Sequence, residues 1–277
     1  MDKSIDRIVP AGAVNRRDPD HANRMIVAPE DFAAISPFLV LVEDWFRDPA
    51  GFPTHPHRGI QTVTFVLDGA LEHRDHTGGH GVLREGDVQW MTAGHGVMHS
   101  ELPHEREVAH TLQLWLNLPG RQKMIPARYV NQLRAEVPVV TVPGAEIRLY
   151  AGTLGEVASP HGSDWPMTLM DIRAEAGAEL SLEVPSGDRG FIHLVSGEAR
   201  VGAGGATVTA GDVAWFEPSL DGGTDRIAVT ALAPLRALLY SGAPIDEPVV
   251  ARGPFVMTSD AEIRQAYTDY QSGRFIA

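Results

Sequence analysis

The chain contains no cysteine. Disulfides, thiolate nucleophiles and cysteine-ligated zinc or iron–sulfur sites are therefore excluded together, and any metal must be held by histidine, carboxylate or carbonyl oxygen. Nowhere do about 18 apolar residues follow one another, the length that spans a bilayer. The opening MDKSIDRIVPAGAVNRRDP lacks the apolar centre of a secretory signal. A cytoplasmic protein with no membrane partner is expected. Basic residues number 23 against 36 acidic ones, for a formal net charge of −13. With no basic patch concentrated anywhere, such a chain repels a phosphate backbone, and no direct nucleic-acid partner is expected.

What is abundant is turn chemistry. Hydrophobic residues at 43% with 21% charged suit a packed globular protein, and 28 glycines with 20 prolines favour many short strands over long helices. Period-two stretches such as TVTFVLDG, VQWMTAG, TLQLWLNLP, ELSLEVPSG and RALLYSG recur along the chain. The fold class read from them is all-β. An internal echo is also present: FVLDGALEHRDHTGGHGVLREGDVQWM at 65 to 91 and LVSGEARVGAGGATVTAGDVAWF at 194 to 216 both run strand, glycine turn, strand, then Gly-Asp and an apolar strand. Trp90 and Trp215 follow Gly-Asp at the same offset, which implies a duplicated β-unit. Helical signal is confined to PEDFAAI, GRQKMIPARYVNQLRAE over 120 to 136, and SDAEIRQAYTDYQSGRF, where Ser259 can cap and Ile263, Ala266 and Tyr267 form an apolar face. The expected division is 1–132 and 133–277, with terminal strands free to cross into the other half.

Nine of the twelve histidines lie between residues 55 and 110, where even spreading would put about two or three. On a strand, residues i and i+2 share a face, so His55 and His57 of THPHRG can converge while Pro56 points away. Proline there places the pair at a strand start or edge. His99 and Glu101 of AGHGVMHSELP form a second doublet of the same spacing. If the two strands face each other, three nitrogens and one oxygen meet and leave positions open on an octahedral metal, as a catalytic site requires. His73, His76 and His80 fall in the polar hairpin EHRDHTGGHG and are read as solvated turn residues. His95 and His104 are candidates for groups supporting the ligands.

Taken together, HPHRGIQTVTFVLDG, GDVQWMTAGHGVMHSE, TLQLWLNLP and GPFVMTSDAEIRQA resemble the pirin family, bicupins of the cupin superfamily that include bacterial quercetin 2,3-dioxygenases. The resemblance extends from SPFLVLVEDWF at 36 to the last helix and is densest from 52 to 118. It implies two stacked cupin β-barrels with a few short helices: a metal-binding domain over 1–132 and a cupin-like domain without metal ligands over 133–277. By motif position the ligands of one Fe(2+) per chain would be His55, His57, His99 and Glu101. Zinc, manganese, nickel or copper could occupy the site in isolated protein. Gln61 stands where general cupins carry a carboxylate ligand, which leaves that role to Glu101. The implied activity is iron-dependent opening of a flavonol by O2 with release of carbon monoxide, with Glu101 as the base. Phe52, Phe65, Met98 and Trp115 are candidate apolar walls, Gln113 a candidate hydrogen-bonding group, and Gln61 and His95 candidate supports. The alternative that the resemblance allows is a non-catalytic, redox-sensing iron protein that binds a transcription factor or metabolic enzyme. A monomer is expected.

Overall fold

The computed structural model describes residues 2–16, 18–105, 108–219 and 222–276. Among them the secondary structure is mostly β-strand, with two α-helices, Phe32–Ile35 and Asp260–Gln271, and two short 3-10 turns. The all-β expectation holds. The strands gather into two compact units: Ala13–Ala135 with the residues from Ile245 onward, and the residues up to Gly12 with Glu136–Pro244. Neither unit is one continuous stretch, which corrects the contiguous cut into 1–132 and 133–277. Pairing explains the difference at the N-terminus, where Ile5–Pro10 lies antiparallel to Asp212–Phe216 with Ile8 opposite Ala214.

The unit containing Glu136–Pro244 has a seven-stranded and a four-stranded sheet. Alternating side chains of both, among them Ile147, Leu149, Met170, Leu182, Val208 and Val229, form one apolar core. Here period-two patterning has its ordinary outcome, a dry interior.

The histidine-bearing unit also has two larger sheets, beside a short two-stranded one, Val250–Arg252 with Phe255–Met257. The six-stranded sheet runs Arg128–Gln132, Val88–Thr92, Ile60–Asp68, Ala109–Asn117, Phe38–Phe46, His21–Val27. The four-stranded sheet runs Phe52–His57, Val97–Pro103, Ala70–Asp75, His80–Arg84. The sequence echo has a structural counterpart in the two Gly-Asp turns. Gly86 N donates to Val66 O at 2.8 Å and Gly211 N to Leu194 O at 2.7 Å, while Asp87 Oδ2 accepts from Arg84 N and Asp212 Oδ2 from Thr209 N, both at 2.8 Å.

The helical reading of 120 to 136 is corrected. Only 3-10 turns occur, at Gly120–Gln122 and Arg134–Glu136, and between them Arg128–Gln132 joins the sheet edge beside Val88–Thr92. Pro126 explains this, because it lacks a donor and drives Ile125 out of the helical region. The C-terminal helix does form. Ser259 Oγ accepts from Glu262 N, and Glu262 Oε2 in turn accepts from Ser259 Oγ and from Thr258. Ile263 and Ala266 are buried against Phe255, Met257 and Phe275, whereas Tyr267 is exposed and donates its hydroxyl to Arg252 O.

The segment after HPHR is held from several directions. Gly59 has φ +79°, and a Cβ there would sit 2.0 Å from Val256 O, so only glycine fits. Buried Lys123 reaches the same spot: its Nζ donates to Gly59 O at 2.9 Å, Asn117 Oδ1 at 2.7 Å and Val256 O at 3.0 Å. Three acceptors match the three protons of an ammonium, which works against the burial that pushes this amine down to about 7. Lys123→Met leaves all three acceptors without their donor inside the protein. We expect a loss of about 3 kcal/mol in urea-unfolding free energy, from the cost of unsatisfied buried polar groups; an unchanged midpoint and slope would show that the amine does not hold this junction.

Candidate metal centre

The Val97–Pro103 strand lies between Phe52–His57 and Ala70–Asp75. Its register puts His99 opposite His55 on one side and opposite Asp75 on the other, and puts Glu101 opposite His73. Parity then brings His55, His57, His73, Asp75, His99 and Glu101 to one face. Ligand-capable atoms of His55, His57 and His99 all lie within 4.8 Å of one another, as do those of His73, His99 and Glu101. His99 belongs to both groups. Both groups of this kind found among the described residues are in this unit.

The chemistry of the donor set fits a cation. His55 Nε2 and His57 Nε2 are 3.0 Å apart, and His99 Nε2 is buried without a hydrogen-bond partner in the protein. A buried nitrogen with a lone pair and no donor facing it is costly unless it is a ligand. Burial, reinforced by the adjacent His55 ring, pushes His57 down to about 3. Burial and then the neighbouring imidazoles hold His99 well below its usual range as well. Neutral imidazole is the form that binds metal.

Glu101 is oriented by a relay. Trp115 Nε1 donates to Gln113 Oε1 at 3.1 Å, and because an indole can only donate, the Gln113 amide must turn its Nε2 the other way. That Nε2 donates to Glu101 Oε2 at 2.9 Å and lies 3.2 Å from Thr64 Oγ1, while Thr64 Oγ1 donates to Glu101 Oε1 at 3.2 Å. Both carboxylate oxygens are thereby fixed. Trp115 also meets the His57 ring edge-on, with centroids 5.0 Å apart.

Beside this group is a cavity of about 470 Å³ lined by, among others, Asn23, Asp44, Phe52, Gln113, Trp115 and Val256. It borders the donor group through Gln113, which meets Glu101, and Trp115, which meets His57. Of the candidate pocket residues, Phe52, Gln113 and Trp115 are thus in its wall, and two candidates are corrected by parity. Phe65 and Gln61 pair with Leu112 and Leu116, on the opposite face of their strand from Thr64; Phe65 is in the core and Gln61 Nε2 donates to Thr92 Oγ1. Met98 is corrected too: it turns away from His99 to pack with Phe255, Met257 and Ile263. His95 stands apart from both donor groups, with its carbonyl accepting from Arg58 Nε. His104 faces Glu72 at 3.6 Å on the outer side of the sheet.

His73 was missed. It is fully buried rather than solvated, its Nδ1 lies 3.5 Å from His99 Nδ1, and its Nε2 lies 3.4 Å from Asp75 Oδ2. The usable signal was Leu71, an apolar residue two positions earlier that marks the inward face of the strand.

Comparison with known proteins places these residues in a family context. The family model described as Pirin matches residues 20–116, and the Pirin C-terminal cupin domain model matches residues 169–276. A pirin-like protein of Solanum lycopersicum is 39% identical over 95% of this chain and 90% of its own. A Pseudomonas aeruginosa protein provisionally named a quercetin 2,3-dioxygenase is 39% identical over 87% of each chain. The crystal structure of quercetin 2,3-dioxygenase from Acinetobacter baumannii superposes with a TM-score of 0.90 at 28% identity, covering 100% of both chains.

The buried, neutral state of His57 has a measurable consequence in metal-free protein. Its folded pKa near 3 lies below the unfolded value of 6.5, so the unfolded chain binds more protons between those limits. Stability is then complete above the unfolded value and falls as pH drops towards the folded one. Acidifying from pH 7 to pH 5 in the presence of chelator should cost about 2 kcal/mol from this group. Urea titrations of wild type and His57→Gln at the two pH values test this, the variant showing the smaller loss. Equal losses would mean that the ring is not held neutral by burial.

Proposed function

Since the chain belongs to the pirin family, we propose that it is an iron-dependent quercetin 2,3-dioxygenase that opens flavonols with O2 and releases carbon monoxide. The observation that carries this reading is the row of imidazoles and one carboxylate beside a largely apolar cavity whose volume suits a small aromatic molecule. In this reading His55, His57, His99 and Glu101 hold a single ferrous ion. The ion, when bound, supplies Lewis acidity towards an enolic hydroxyl and one-electron chemistry towards O2.

The protein's own residues do the rest. Phe52 and Trp115 give flat apolar walls to a planar polyphenol. Glu101 Oε2, the oxygen that meets Gln113, takes the proton from the flavonol 3-hydroxyl. Gln113 then keeps the protonated carboxyl from rotating, since its own amide is fixed by Trp115. His73, backed by Asp75, braces the His99 ring from the side away from His55.

The sensor reading requires no cavity, whereas about 470 Å³ is present beside the donors; this favours the enzyme. The size of the cavity fits a small molecule within the usual range of about 300 to 1,000 Å³. Zinc or copper in overproduced protein would reflect the affinity order of divalent metals rather than the working metal.

Anaerobic ferrous reconstitution followed by quercetin and O2, with flavonol loss and carbon monoxide measured together, tests the proposal. Wild type should turn over and release carbon monoxide. His99→Ala should keep its far-ultraviolet circular dichroism but bind iron at least tenfold more weakly, the order seen when a metal ligand's support is removed; normal iron binding by this variant would remove His99 from the ligand set. Glu101→Gln should retain part of its iron and lose turnover by about 100-fold or more, the usual contribution of a positioned base. Full activity in that variant would take the base role from Glu101.

A further inference from the structure

The cavity wall contains a carboxylate, Asp44, that the donor row does not use. On the Phe38–Phe46 strand, Val40 pairs with Trp115, Val42 with Gln113 and Asp44 with Thr111. Asp44 therefore shares the face of Trp115 and Gln113, one step further along the strand, and Asn23 stands opposite it on the other side. Asn23, Asp44 and Gln113 all line the cavity. Asp44 is only 3% exposed, and a carboxylate so placed is costly unless it is paired.

Its partner is His21, whose Nε2 lies 2.7 Å from Asp44 Oδ1. That hydrogen bond raises the imidazole above its ordinary pKa. The ring itself is fixed edge-on between Phe46 and Phe52, with centroids 5.6 and 5.4 Å away. His21 thus commits one carboxylate oxygen and holds the side chain in a single orientation. The cavity is otherwise mostly apolar, with Met25, Phe32, Leu39, Val42 and Val256 in its wall.

We propose that Asp44, braced by His21, is the specificity-determining acceptor for hydroxyl groups on the substrate's outer aromatic ring. The inference rests on the flavonol reading and extends it. A phenolic O–H donates to Asp44 Oδ2, a charge-assisted hydrogen bond, while the ring system extends past Gln113 towards the donor row. Diagonal neighbours on adjacent strands are about 7–8 Å apart, so Asp44 and Gln113 can address opposite ends of one planar molecule. A ring without a hydroxyl leaves the carboxylate desolvated and unmatched, which is how a buried polar group rejects an analogue.

The test is anaerobic titration of the iron-reconstituted protein, followed by tryptophan fluorescence, with quercetin (two outer-ring hydroxyls) and galangin (none). Wild type should prefer quercetin. Asp44→Asn should lower that preference by about tenfold or more, through weaker quercetin binding and tighter galangin binding, as expected when a hydrogen bond to a charged group and the penalty for leaving that charge unmatched are both lost. Asp44→Ser, with the same expectation, serves if the asparagine variant does not fold by circular dichroism. Undiminished preference in a variant that still binds galangin overturns the role of Asp44 and leaves the flavonol reading standing. If wild type binds neither flavonol, the flavonol reading itself falls and this inference with it.

Discussion

The register of the Val97–Pro103 strand is the constraint on which the rest of the site depends. It has a donor-bearing strand on each side, with His55 opposite His99 on one and His73 opposite Glu101 on the other. Side chains alternate with a period of two, so a slip of one residue would turn His99 and Glu101 to the far face and bring Met98 and Ser100 in. The register is secured by what those outward residues do. Met98 is packed in the apolar cluster of Phe255, Met257 and Ile263, and the burial lost on a slip would oppose it. Apolar packing on one face thus fixes the chemistry on the other.

That placement determines the electrostatics. Imidazoles crowded together away from water cannot all hold protons, because each charge would be desolvated and would repel its neighbours. Burial and mutual proximity keep His57 and His99 neutral, ready for a cation before one arrives. The single carboxylate is treated in the opposite way, with donors supplied to both oxygens by Thr64 and Gln113. The protein therefore offers neutral nitrogens and one oriented anion. On the strand beside Gln113, Asp44 is held by a different device, a histidine partner outside the donor row.

Much of this was legible in the sequence, because i, i+2 spacing is a local property. HPH and HSE announce their shared faces without reference to the rest of the chain, and the Gly-Asp echo announces a duplicated turn. What could not be read was absolute parity. Phe52, Phe65, Met98 and Trp115 are equally plausible walls until strand pairing decides which face is inward, and pairing sends Phe65 and Met98 elsewhere. His73 was hidden by composition, since the polar residues around it mimic a solvated hairpin while Leu71 and Leu83 anchor the strand in the core. The segment from 120 to 136 was misread because its helix-forming residues outnumber a single decisive proline.

Non-local closure is the other part that local patterns do not reveal. The end of the HPH strand is held by residues some 200 positions away in sequence: Arg58 Nη1 donates to Asp269 Oδ2 at 2.8 Å, a separation of 211 residues, and its guanidinium lies over the Phe275 ring at 4.6 Å. Lys123 ties Gly59 to Val256 at the same place. A chain ending at residue 132 would leave buried Arg58 without its carboxylate, Lys123 with one acceptor fewer, and Met98 uncovered. Unpaired buried charge and exposed apolar surface are both costly. The C-terminal segment is therefore part of the folding unit that carries the donors, and two histidines at the end of a strand gain their fixed geometry from the opposite end of the chain.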